Sequence, residues 1–394
     1  MAAERALAML LVGAMCILFV VLAPILSRYG GTILLSPEYK RLQLTEEDAQ
    51  ALRHSHRFVL MGGSHRGGTT LLWRLLTRQP DTSGFNEYAD TDFGEGAFLQ
   101  TVLPTFGVGS ELTSAGRSVL SGTQGGLGRY AFSPDAHLTE LHPLNSAVNS
   151  RKLLSEWGFH WNLTRPVLLE KTPTNMITSR LLQSLLGPSV NFLFITRHPL
   201  AVSLAHRRWQ CCALMSLPSL LLHWVASHRI LATDLPHLQA ARVLRYEDLV
   251  RRPRQCLTSV LRWLKLPAPA VAAAPAANVG ELEVTPDTNR KYETEYCARH
   301  LTTPLQQRDH CAMAWVLQPE LDTLQLGYDL MHGNRQLGFK CIRHRLRNGT
   351  CGGVPPSSHV MNAFNQLKLG ESRAAPLGGA EHCSQTRQCV CGLQ

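Results

Sequence analysis

The stretch FVLMGGSHRGGTTLLWRLL, Phe58 to Leu76, constrains the fold more than any other part of the chain. An apolar run, Phe58–Met61, enters a glycine cluster and leaves as a helical pattern with Leu71, Leu72, Leu75 and Leu76 on one side. The order is strand, loop, helix N-terminus. Amides at a helix start attract an anion, and Gly62, Gly63, Gly67 and Gly68 let the backbone approach it closely. The frame Gly63 to Gly68 fits GxxxxGK[ST], yet Thr69 stands where the lysine belongs, followed by Thr70. The loop has a phosphate-gripping layout without the lysine that reaches β- and γ-phosphates.

Three later stretches, PVLLEKTP, SVNFLFITRHP and ARVLRYEDL, each place a short apolar run before polar residues, with leucine-rich helical segments between them. Strands alternating with helices predict an α/β fold: a P-loop-like parallel sheet flanked by helices, with functional loops at the strand C-terminal ends. Arg197 closes the second run, its planar fork suits a phosphate, and His198-Pro199 open an amphipathic helix. The Pro/Ala-rich LPAPAVAAAPAAN after Lys265 reads as a surface loop or connection.

At 394 residues and 44% hydrophobic content, the chain can bury a sizeable core and is no small binding module. Ala6 to Leu26 is an almost uncharged apolar run, long enough to cross a bilayer as a helix. It is longer than the core of a cleaved signal peptide, the alternative, and reads as a single-pass signal anchor. Glu4 and Arg5 before it and Arg28, Lys40 and Arg41 after it slightly favour the reverse orientation. The sequons at Asn162 and Asn348 and the cysteines beyond Cys16 point instead to a lumenal, oxidising setting.

The expected organisation is a cytosolic N-terminus over 1–5, anchor over 6–26, helix-prone stem over 27–56, α/β body over 57–332 and basic tail over 333–394. From Met331 onward eight Lys or Arg face two Glu, so most of the net charge of +10 sits in the tail and nucleic acid is not an expected partner. The tail holds Cys341, Cys351, Cys383, Cys389 and Cys391 without paired CxxC spacing, which favours disulfides over zinc. No HExxH spacing occurs among the histidines, and no metal is expected. A truncation before Gly333 is expected to fold and keep the glycine loop's anion binding, while losing salt-sensitive binding to acidic glycans.

GSHRGGTTLL resembles the 5′-phosphosulfate loop of sulfotransferases that use 3′-phosphoadenosine 5′-phosphosulfate (PAPS), and FITRHPLAVSLA resembles their 3′-phosphate motif. LLEKTPTN, VLRYEDLV, NRKYE and LQLGYD follow in the family's order. The resemblance covers about Arg57 to Leu330 and is to the Golgi membrane type, with similarity to the tyrosylprotein and bacterial-type branches. It implies PAPS as sulfonyl donor, a Golgi membrane location with a lumenal body, and a hydroxyl or amine of a glycan, protein tyrosine or small molecule as acceptor.

The resemblance also implies roles. Gly63, Arg66, Gly67, Gly68, Thr69 and Thr70 would hold the 5′-phosphate, and Arg197, Ser203, Tyr246, Arg290 and Lys291 the rest of the nucleotide. Arg66 and Lys171 would stabilise charge on the transferring group. Glu87 resembles the tyrosylprotein glutamate in spacing and is the preferred base, with Glu95, in a stretch resembling the bacterial-type branch, as the alternative. The bland reading of Lys171 is a salt bridge with Glu170. One departure stands out: the family's serine eight residues after the arginine is Ala205 here, and Ser203 points about 200° away from it on an ideal helix. His206 and Arg207 are the candidate substitutes. A catalytically weak scaffold of the same fold is the second reading, and a P-loop kinase, lacking lysine and an evident Walker-B aspartate, a minor third.

Overall fold

The computed structural model describes residues 44–85, 95–104, 126–209, 212–266, 289–331, 337, 339–346 and 351. The apolar run Ala6–Leu26, Glu87, Asn348, the Pro/Ala-rich stretch and Cys383, Cys389 and Cys391 lie outside them. Among the described residues no helix is long and apolar enough to cross a membrane.

Five parallel strands form one sheet in the order β2-β3-β1-β4-β5. They are β1 (Arg57–Gly63), β2 (Thr82–Ser83), β3 (Val167–Lys171), β4 (Val190–Thr196) and β5 (Ala241–Arg245). The three later runs read from the sequence are β3, β4 and β5; the two-residue edge strand β2 is too short to carry a pattern. β1 is central and buried on both faces, so its apolar run does not alternate with polar residues. Phe58 and Leu60 enter the larger core, Val59 and Met61 the smaller one.

The smaller core is closed by α2 (Thr69–Leu76) and the pair α7 (Tyr246–Arg251) and α8 (Pro253–Trp263), through Leu72, Leu76, Leu249 and Leu261. The larger core takes α1 (Glu46–Ser55), α3 (Ala147–Gly158), α4 (Asn175–Leu186), α6 (Leu217–Asp234) and α10 (Pro304–Leu324). In α1 the Thr45 hydroxyl accepts from the Asp48 amide in a capping box, and Ala49 and Leu52 are buried in the larger core. The C-terminal half of the segment expected as stem is therefore packed helix.

Packing also continues past residue 332. Leu337, Phe339, Ile342 and Leu346 are buried in the larger core, three of them in or beside α11 (Lys340–Arg345). Disulfides join Cys297 of α9 (Arg290–Arg299) to Cys341, and Cys311 of α10 to Cys351. The first part of the expected tail thus has core contacts as well as disulfides, which argues against the expectation that a chain ending at residue 332 would be indifferent to its loss.

The sheet order brings β3 and β4 to opposite sides of β1, so the connections leaving the central strand part at its C-terminal end. Ligands of open α/β sheets bind in the crevice made there.

Candidate functional site

Gly63 pairs in register with Ile195, so the loop after β1 and the arginine after β4 leave the sheet side by side. The loop closes with the Gly67 amide donating to the Ser64 carbonyl at 2.8 Å, and α2 starts at Thr69 with Gly68 as its N-cap. Gly68 has φ 108°, and a Cβ there would lie 2.4 Å from Cδ2 of Tyr246, so this position requires glycine twice over. Arg66, with φ 66°, is held left-handed without being glycine, a conformation that a loop keeps only when its surroundings impose it. Its guanidinium lies 5.0 Å from the ring of Trp209. Thr69 is buried and Thr70 half-buried at the head of α2.

Arg197 ties the two motifs together. Its Nη1 donates to the Arg66 carbonyl at 3.1 Å and its Nε to Asn289 Oδ1 at 2.8 Å, while the guanidinium lies 4.2 Å from the ring of Tyr246. The Tyr292 ring collects cations as well: Arg197, Arg208 and Lys291 lie 5.2, 4.9 and 5.0 Å from it. Arg290 and Lys291 are exposed at the start of α9. Positive charge thus converges next to the glycine loop.

A buried carboxylate explains why motifs so far apart in sequence meet. Glu247 Oε1 accepts from the His198 amide at 2.9 Å and from Asn289 Nδ2 at 2.7 Å, and Oε2 accepts from the Tyr328 hydroxyl at 3.0 Å. TRHP, RYED, the residue before RKYE and LGYD are joined through one side chain. Glu247, Asn289, Tyr292 and Trp209 were not singled out in the sequence, although each sits inside or beside a motif that was.

Ser203 and Ala205 are both fully buried in α5 (Pro199–His206), and the Ser203 hydroxyl has no hydrogen-bond partner. His206 turns toward His65 and Trp209, with ring centroids 6.2 and 5.4 Å away. Arg207, by contrast, lines an open cleft together with Arg208, Lys291 and Arg299. Of the two candidate substitutes for the missing serine, Arg207 is the one that shares a surface with Lys291.

On the other side of the loop, the β3 strand ends in Glu170 and Lys171, which point to opposite faces. Lys171 Nζ donates to Glu95 Oε1 at 2.7 Å, and its side chain is fully buried. The expected bland pairing with Glu170 is replaced by this contact. Burial pushes the Glu95 carboxyl above its ordinary value, and the Lys171 ammonium opposes that rise. Glu170 takes the opposite face and anchors the turn that carries Glu95. Its Oε1 accepts from the Gly96 amide at 3.0 Å and from the Thr172 hydroxyl, and Oε2 accepts from Asn175 Nδ2. The Ala97 amide donates to Thr172 Oγ1 and Trp157 Nε1 to the Gly96 carbonyl, each at 3.0 Å. Burial outweighs the three donors and pushes the Glu170 carboxyl up to about 7.

Asn162 lies in a turn before β3, where its Oδ1 accepts from the Thr164 amide at 3.1 Å and hydroxyl at 2.8 Å. Among the described residues no group of three or more His, Cys, Asp or Glu is placed to hold a metal ion.

A family model described as the sulfotransferase family matches residues 59–270. Among solved structures the chain is similar to the sulfotransferase domain from the curacin biosynthetic pathway, with 17% identity and a TM-score of 0.35 over 54% of this chain and 74% of that one. It is also similar to the sulfotransferase domain from the Synechococcus PCC 7002 olefin synthase, with 24% identity and a TM-score of 0.31 over 53% of this chain and 73% of that one. No curated protein matches. The matched region holds the glycine loop, Lys171, Arg197 and Tyr246 and spans more than half of the 394 residues, so the chain belongs to the sulfotransferase family.

Proposed function

We propose that the protein transfers the sulfonyl group of PAPS to a hydroxyl or amine acceptor within the secretory pathway. The observation that carries this reading is the convergence of the glycine loop with Arg197 on one side and the Lys171–Glu95 pair on the other. A nucleotide with phosphates at both ends of its ribose fits that layout. The loop and α2 offer amides to the 5′ end, and Arg197, Arg207 and Lys291 offer charge toward the 3′ end. The lysine of GxxxxGK[ST] is dispensable because the group transferred is a terminal sulfonyl, not a phosphoryl.

PAPS supplies an activated sulfur with a phosphate as leaving group. As the acceptor oxygen or nitrogen bonds to sulfur and the bond from sulfur to the phosphate oxygen breaks, Arg66 and Lys171 stabilise the negative charge left on that oxygen. A carboxylate receives the acceptor's proton. Glu95 has the placement for this, paired with Lys171 and with its basicity raised by burial. Glu87, preferred from the sequence, lies outside the described residues and is the alternative.

The disulfides Cys297–Cys341 and Cys311–Cys351 support an oxidising compartment, in keeping with the sequons and with a Golgi membrane anchor over 6–26. The basic tail would favour an acidic glycan or protein acceptor. Titration calorimetry of the full chain with 3′-phosphoadenosine 5′-phosphate tests the donor site. Arg197→Ala is expected to weaken binding by about tenfold to a hundredfold, the worth of a charged hydrogen bond. Unchanged affinity in that variant would remove Arg197 from the site, and no binding by the wild type would favour the scaffold reading.

A further inference from the structure

Three histidines that the mechanism above does not use lie together beside the loop. His65 follows Ser64 in the loop itself, His206 ends α5 and His223 sits in α6. The His65 ring centroid is 6.2 Å from that of His206, 6.1 Å from Trp209 and 5.7 Å from Tyr130; Tyr130 in turn is 4.4 Å from His223. His206 and His223 are buried, while His65 and Trp209 are half-buried, so the cluster reaches the surface at those two rings, next to the exposed Arg66.

The hydrogen bonding of the cluster is incomplete. His206 Nδ1 donates to the Val202 carbonyl at 3.1 Å, which leaves its Nε2 with a bare lone pair, and that atom is buried without a partner. His223 Nε2 and His65 Nδ1 are buried without partners too. A buried polar atom lacking a hydrogen bond costs about 1–3 kcal/mol, and native structures hold few of them. Three in one cluster, between the loop arginine and the field of Lys171, call for a ligand.

We infer that this cluster is the acceptor subsite and takes an uncharged, hydroxyl-bearing ring. Neutral imidazoles accept or donate one hydrogen bond each to hydroxyls, and the half-buried indole of Trp209 suits a ring. Burial holds His206 down to about 4 and keeps His65 and His223 well below the ordinary imidazole value, with neighbouring cations and imidazoles adding to the effect. An anionic ring would therefore meet neutral imidazoles here, and among the described residues no carboxylate belongs to the cluster to hold an amine. A hydroxyl approaches from the His65–Trp209 side, where turning the His65 ring presents its Nδ1.

This subsite rests on the sulfotransferase reading and deepens it. Its test uses the full chain with three probes: methyl β-galactopyranoside, 4-methylphenol and methyl β-glucuronide. Saturation-transfer NMR is expected to detect one of the neutral probes, and which one distinguishes a sugar from a phenolic acceptor. His65→Phe and His206→Phe are expected to weaken its binding about tenfold, the loss of one hydrogen bond, while His65→Gln restores part of it. Affinity for 3′-phosphoadenosine 5′-phosphate is expected to stay within about twofold in all three variants. Preferential binding of the glucuronide overturns the inference, as does neutral-probe binding that both Phe variants leave untouched. If the wild type bound no nucleotide, the sulfotransferase reading would fall, yet loss of neutral-probe binding in the Phe variants would still mark the cluster as a ligand site.

Discussion

Lys171 and Glu95 form the contact on which the proposed chemistry turns. Burial raises the Glu95 carboxyl and Lys171 lowers it, so with Glu95 as the proposed base the two partners would set the acidic limb of turnover between them. Replacing Lys171 by Met removes the lowering influence. The acidic limb of kcat in the residual activity is expected to move to higher pH, and a limb that stays in place would assign it to another group. Glu95→Gln is expected to lower kcat by about 10²–10⁴-fold with nucleotide affinity nearly intact. Should Glu95→Gln turn over normally and Glu87→Gln be dead, the base is Glu87. Arg197 works differently, through position: it touches the loop backbone, Asn289 and Tyr246 at once, so its loss should appear in nucleotide binding before turnover.

Among the elements, the β1–α2 loop and the Glu95 turn are held by opposite devices. The loop relies on absence of a side chain. Gly68→Ala would combine a positive φ with a Cβ driven into Tyr246, and it is expected to cost about 1–3 kcal/mol and weaken nucleotide binding, read by thermal unfolding and calorimetry. The turn relies on a buried carboxylate. Glu170 is raised from an ordinary 4.5 to about 7, so its protonated form is favoured in the folded state. That stabilisation is complete below about pH 4.5 and is lost as pH rises through about 7, with a ceiling on the order of 3 kcal/mol. Thermal stability is therefore expected to decline across this window in the wild type and to decline less in Glu170→Gln. Equal slopes in both would place the titration elsewhere. Glu170→Ala would also leave the Gly96 amide without its acceptor and is expected to lower kcat through a loosened Glu95.

The described body is a parallel sheet flanked by helices, and the C-terminal ends of its strands are braced by residues beyond 326. Phe339 stacks on His198 with ring centroids 4.4 Å apart, immediately after Arg197, so the residues past 332 support the side of the site proposed to hold the nucleotide. The disulfides that hold this segment close loops of 44 and 40 residues, each corresponding to about 4 kcal/mol in a chain-entropy estimate. Ending the chain at residue 332, or reducing it, is expected to lower the unfolding temperature and weaken nucleotide binding together. A truncated chain with wild-type affinity would restore the simpler picture of a dispensable tail.

The sequence by itself determined the sheet and the position of the loop. The apolar runs of β1, β3 and β4 are strands because an inner strand buried on both faces is largely apolar, and their polar successors lie at the C-terminal edge; β5, at the sheet edge, carries Arg242 within its run. Glycines at 63, 67 and 68 marked the loop, and the structure shows why: a Cβ at each would lie 2.3–2.6 Å from the Ile195 carbonyl, the Ser64 carbonyl or the Tyr246 ring. Local pattern could not reveal what depends on distant partners. Lys171 pairs with Glu95 while its neighbour Glu170, facing the opposite way, holds the next residue of the same turn through the Gly96 amide, a division that local pattern does not carry. Glu247, which joins four motifs, looks in sequence like any acidic residue at a helix start. The imidazoles of His65, His206 and His223 are scattered along 159 positions of chain and become a cluster only where α5 and α6 meet the loop, which tertiary packing alone decides.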